Sequence, residues 1–88
     1  MPYIKREDRA NYDGYIKNIA NIVNRTSEAY GIAGVLNYII SKLLLMTNPN
    51  CYHDYNELIG VLECAKLEMY RRQVAKYEEE KIVENGDI

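Results

Sequence analysis

The chain has 88 residues, with 11 basic and 13 acidic side chains, one histidine and two cysteines. That is one small domain, near the lower limit at which a single core suffices, and a net charge of −2 argues against a dedicated binder of the nucleic-acid backbone. Cys51 and Cys64 lie outside any CxxC spacing and are too few for a disulfide framework, so two free thiols in a reducing compartment are expected. The start MPYIKREDR is charged with no apolar run behind it, and no apolar run approaches the roughly 20 residues of a bilayer span. A cytoplasmic protein with neither signal peptide nor membrane anchor is expected.

In chain order, the first predicted helix covers about residues 12–25. Tyr12, Tyr15, Ile16, Ile19, Ile22 and Val23 recur at helical spacing, with Asp13, Lys17, Asn21, Asn24 and Arg25 on the other arc. The segment KREDRAN ahead of it can add a helical turn. TSEAYGIAG, residues 26–34, carries two glycines and reads as a connection. A second helix follows over about 33–47 and is stopped by Asn48-Pro49-Asn50, because proline disfavours helical geometry in the residue before it. The third helix is predicted over about 54–84. It opens on Asp54-Tyr55-Asn56-Glu57, a variant of the capping box, and ends at Asn85-Gly86, with a bend expected near Lys76-Tyr77 where the apolar pattern fades. No stretch alternates as a strand does. The fold class is therefore all-α: a single three-helix domain over 1–88 with a long C-terminal helix.

Two of these helices are apolar nearly all round. On the second, only Asn37 and Ser41 share a polar gap, and Lys42 falls inside the apolar arc. On the first half of the third, Leu58, Val61, Leu62, Ala65 and Met69 take one side, Cys64 and Leu67 the other, and Ile59 lies between. Three helices bury one stripe each, and leaving the remaining faces wet exposes more apolar surface than soluble monomers tolerate. A symmetric homo-oligomer resolves the conflict. Nine tyrosines, with neither Trp nor Phe, also suit interfaces and ligand pockets better than a dry core. The charge distribution is uneven: residues 1–25 carry five basic and three acidic groups, and the acidic tail, residues 78–88, carries one basic and five acidic.

The clearest polar constellation lies on the third helix, where Glu63, Lys66, Tyr70 and Tyr77 fall within about 60° of one another. It offers a cation, an acceptor and an aromatic face to a ligand, or it is a solvated face with an intrahelical Glu63–Lys66 pair. Arg72 stands four residues after Glu68, the spacing of a helix-surface pair. Arg71 shares its side with Gly60, Cys64, Leu67 and Val74, so it requires an anion, either a carboxylate from a neighbouring chain or tail or a bound phosphate or carboxylate ligand. The long stem of Lys42 can carry its ammonium out to water. Asn37 and Ser41 either bond to another helix or line a pocket. The candidate ligand-binding set is Asn37, Tyr38, Lys42, Glu63, Lys66, Tyr70 and Arg71.

No metal, cofactor or catalytic site is expected. His53 and Glu57 are only two ligands, Glu57, Glu63 and Glu68 do not share a face, and one histidine supports no nucleophile–base set.

The pieces MPYIKREDR, LNYIISKLL, NELIGVLECAKLEMYRR and YEEEKIVENGDI, in that order, resemble a family of short uncharacterised helical proteins of bacteriophages and some bacteria. The resemblance covers most of the chain and implies a viral or bacterial cytoplasmic context, with no activity attached. In that context the expected function is a non-enzymatic homo-oligomer that binds a small anionic ligand between subunits, such as a phage-type sponge for a nucleotide-derived immune signal. The alternative is a protein-interaction or structural accessory module that docks on a host protein and takes no small molecule.

Overall fold

The computed structural model describes residues 4–88, and among them all regular structure is helical, in three helices of which the last runs for 34 residues. The chain divides into two compact units, Met1–Thr47 and Asn48–Ile88.

The first unit is a helical hairpin. A 3₁₀ turn, Arg6–Asp8, leads into α1, Ala10–Tyr30, and α2 follows at Ile32–Leu45. The expected connection over 26–34 is therefore mostly helix. Thr26 and Ser27 do not break α1, because their hydroxyls donate to carbonyls of the preceding turn: Thr26 Oγ1 to Ile22 at 2.9 Å and Ser27 Oγ to Asn24 at 3.4 Å. Of the two glycines, only Gly31 breaks the chain direction, at φ 78° and ψ 144°, and its N–H donates to the Ser27 carbonyl at 2.6 Å. The same residue accepts from the Val35 N–H at 3.3 Å and so opens α2. One residue thus serves as both stop and start, while Gly34 lies inside α2.

α1 and α2 pack against each other around Val23, which at 4% exposure is the one buried residue among those described. Ser27 on α1 and Val35 and Ile39 on α2 are half-buried, each one turn from its neighbour on the packed stripe. The other apolar residues of both helices stay exposed, Tyr15, Ile16, Tyr38 and Leu43 among them. α2 ends two residues before the expected Thr47. Thr47 turns back to the Leu44 carbonyl through both its N–H and its hydroxyl, and Asn48 then takes a left-handed φ of 62°.

The second unit is one continuous helical rod: α3, Tyr52–Met69, a π turn, Tyr70–Val74, and α4, Ala75–Asn85. The rod begins two residues earlier than the capping pattern suggests, because Asp54 has a different role. Cys51 is the N-cap and provides no side-chain bond, while the Asp54 carboxylate reaches back to accept from the Asn50 N–H at 3.1 Å. Asp54 thus reaches back from the third helical position, as in a capping box, but to the N–H one residue ahead of the N-cap. Gly86, at φ 88°, ends the rod with its N–H donating to the Ile82 carbonyl at 2.8 Å. Residues 78–85 of the expected acidic tail are accordingly helical. The irregularity expected near Lys76-Tyr77 lies a turn and a half earlier, in the π turn.

Gly31→Ala is expected to destabilise the protein by about 1–3 kcal/mol, since a side chain is strained at this positive φ. Gly34→Ala, helical and with open space around the added methyl, is expected to stabilise by up to about 1 kcal/mol. Urea unfolding of the two variants checks the opposite signs.

Candidate functional site

The candidate residues divide between the two units. Asn37, Tyr38 and Lys42 belong to α2, and Glu63, Lys66, Tyr70 and Arg71 to the rod of the second unit. On α2 all three side chains are exposed. Asn37 and Lys42 make no side-chain bond to another described residue, and the Lys42 ammonium extends to water as its long stem permits.

The rod carries the polar chemistry. Lys66 Nζ lies 3.2 Å from Glu63 Oε1, with both side chains more than half exposed, so the pair contributes little and opens readily. Glu68 is enclosed far more, at 22% side-chain exposure, between two guanidiniums: Arg71 Nη2 at 2.5 Å and Arg72 Nε at 3.0 Å from the same oxygen. Arg71 therefore finds its anion on its own helix. The sequence reading had assigned Glu68 to Arg72 alone, but one carboxylate serves both arginines, at three and four residues' distance.

The π turn changes the composition of the polar strip. The Ala75 N–H donates to the Tyr70 carbonyl five residues back, which inserts one residue into the helical count. Every side chain beyond the turn is rotated by about 100° from where an uninterrupted α-helix places it. Tyr77 leaves the strip, and Glu78 takes the place two turns above Tyr70. The Tyr70 hydroxyl donates to Glu78 Oε2 at 3.0 Å, a contact at a spacing of eight that a regular helix would not bring into line. The strip is thus Glu63, Lys66, Tyr70 and Glu78. Tyr77 instead lies under the Lys81 ammonium, 5.5 Å from its ring centroid, and Lys81 also pairs with Glu84 at 2.9 Å.

Glu78 raises the Tyr70 phenol above its ordinary value of 10.0, first by accepting its hydrogen bond and then by its negative charge, with desolvation adding in the same direction. Glu78 is the participant that helical spacing alone does not bring to the strip. The available signal for Glu78 is the fading apolar pattern near Lys76-Tyr77, which marks a change of phase more than a bend.

Among the described residues, no three His, Cys, Asp or Glu side chains are grouped to hold a metal ion, and no helix is long and apolar enough to cross a membrane. Cys51 and Cys64 are free and exposed. An all-helical chain with exposed apolar faces and an internally paired polar strip is the class of protein these features define. The chain belongs to the family DUF6899, a domain of unknown function, which it matches over residues 1–88. No curated protein and no solved structure matches it.

Glu78→Gln is expected to return the Tyr70 phenol toward its ordinary value, as read from ring-carbon shifts in a pH titration. The sign follows from the raised folded value: the Tyr70–Glu78 contact stabilises below the ordinary tyrosine pKa, and its contribution is lost as pH rises through the raised one.

Proposed function

We propose that the chain acts without catalysis, as a homo-oligomer in a phage-infected or bacterial cytoplasm that binds a small anionic, nucleotide-like ligand between its subunits. In that setting its role is that of a sponge for a nucleotide-derived signal. One observation carries the reading: among the described residues Val23 alone is buried, while large apolar and tyrosine side chains are exposed along both units. Surface of that extent calls for a cover, and further copies of the chain provide it symmetrically. Lys42 has no partner among the described residues, Lys66 is held only by an exposed pair, and Tyr38 and Tyr70 offer exposed rings. Phosphate oxygens suit the lysines, and bases stack on the tyrosines.

A second reading is favoured by the Glu68 cluster. Both guanidiniums already share that carboxylate within the chain and are less available to a ligand, which suits a protein-interaction or structural accessory module that takes no small molecule.

Thermal-shift measurement against a panel of mononucleotides and cyclic nucleotides separates the two. The sponge reading predicts a rise of several degrees for at least one nucleotide, lost in Lys42→Ala while oligomeric mass is kept, with the ligand recovered intact after denaturation. A flat panel favours the interaction module, and converted ligand identifies an enzyme.

A further inference from the structure

We propose that the rod of the second unit pairs antiparallel with the same rod of a second copy, crossing beside Ala65; this rests on the homo-oligomer reading and gives it a surface and a register. The π turn is the first support. At about 100° per residue, Leu58, Leu62, Ala65 and Met69 form one stripe along α3. In an uninterrupted helix the stripe would run on into Lys76, with Tyr77 about 100° away. The inserted residue moves Lys76 to the flank and brings Tyr77, with Val74 beside it, onto the stripe. With Tyr55 at the other end, the apolar stripe then runs along α3 and into α4. In the single chain it is uncovered: Tyr55 is 50% exposed, Met69 61% and Tyr77 58%.

Charge complementarity identifies the occupant. In an antiparallel pair related by a two-fold axis, each flank meets the same flank of the other copy, so residues equidistant from the crossing point face each other. Taken about the point between Cys64 and Ala65, Glu63 faces Lys66, Glu57 faces Arg72 and Ile59 faces Tyr70. Asp54 faces Lys76 once the inserted residue is discounted. Each of these charged positions meets its opposite sign, and each contact occurs twice by symmetry; Glu68 keeps Arg71 where Arg72 turns to Glu57 of the other copy. Ala65, the smallest side chain on the stripe, falls at the crossing and lets the two backbones approach. In a parallel pair every stripe residue would instead meet its own copy, and the flanking charges would not be matched about a centre. The Glu63–Lys66 pair within each chain exchanges partners across the axis without loss, because both sit beside it. About 40 Å of rod overlaps in this register, enough for an interface approaching the roughly 800 Å² per partner of a stable complex.

The test places single cysteines on the stripe of the full chain in a Cys51→Ser/Cys64→Ser background. Under mild oxidation, Ala65→Cys is expected to cross-link efficiently, and Leu58→Cys and Met69→Cys at less than about a tenth of that yield, since only position 65 lies near its own copy. Cross-linking at all three positions means a parallel pair and overturns the proposal. No cross-linking in a protein that remains oligomeric overturns it too, with assembly then lying elsewhere and the homo-oligomer reading intact. A monomer defeats both. A second measurement is independent of oxidation: Glu57→Arg is expected to weaken association about tenfold or more, and Glu57→Arg/Arg72→Glu to restore it. If the double variant stays as weak as the single one, the register is wrong.

Discussion

The backbone and the side chains of this chain place different demands on it. Nearly every residue from Ala10 to Asn85 lies in a helix, so the hydrogen-bonding needs of the main chain are met within each segment. Apolar side chains have no such internal solution. Val23 is buried where α1 meets α2, and the other Ile, Leu, Val, Met and Tyr residues among those described stand wholly or half in water. Helices gain most of their stability from packing an apolar face, and intrahelical pairs such as Glu63–Lys66 or Lys81–Glu84 add only about 0.2–0.5 kcal/mol each. A rod of 34 residues held by such pairs alone is marginal. The need for a cover governs the second unit in particular.

Within that unit the π turn couples local geometry to surface chemistry. One inserted residue, fixed by the Ala75 N–H on the Tyr70 carbonyl, alters two faces at once. Glu78 is brought to the Tyr70 hydroxyl, which closes the polar strip, and Tyr77 is brought to the stripe begun by Leu58 and Leu62. Arg71 and Arg72 leave the same turn toward Glu68 and enclose that carboxylate between them. A π turn of this kind is often retained at functional positions, where its cost in regularity is offset by what it aligns.

Much of the architecture was legible in the sequence, for identifiable reasons. The all-helical class followed from the 3.6-residue recurrence of Ile16, Ile19, Val23 and of Leu58, Leu62, Ala65. The stops at Asn48-Pro49 and Gly86 followed from residues whose backbones resist continuation. The extent of α1 did not follow, because Thr26 and Ser27 resemble loop residues until their hydroxyls are seen to bond within the helix. The choice of Gly31 over Gly34 as the break is likewise a matter of backbone angle, which composition does not encode. The Glu63–Lys66 pair follows from helical spacing, and beyond Tyr70 that spacing goes out of phase. A helical wheel assumes a constant turn, and an i+5 bond leaves only a weak trace in sequence, here the loss of apolar rhythm near Lys76-Tyr77. Arg71's partner was missed for a simpler reason: a carboxylate accepts more than one guanidinium.

The central claim is that the exposed faces are covered by further copies, so that helical structure and assembly depend on each other. Sedimentation mass and far-ultraviolet circular dichroism, measured together over a dilution series from about 100 μM to below 1 μM, test it most directly. The account predicts a multiple of the chain mass at the concentrated end and a loss of helicity as that mass falls. A single-chain mass with full helicity at every concentration would contradict it.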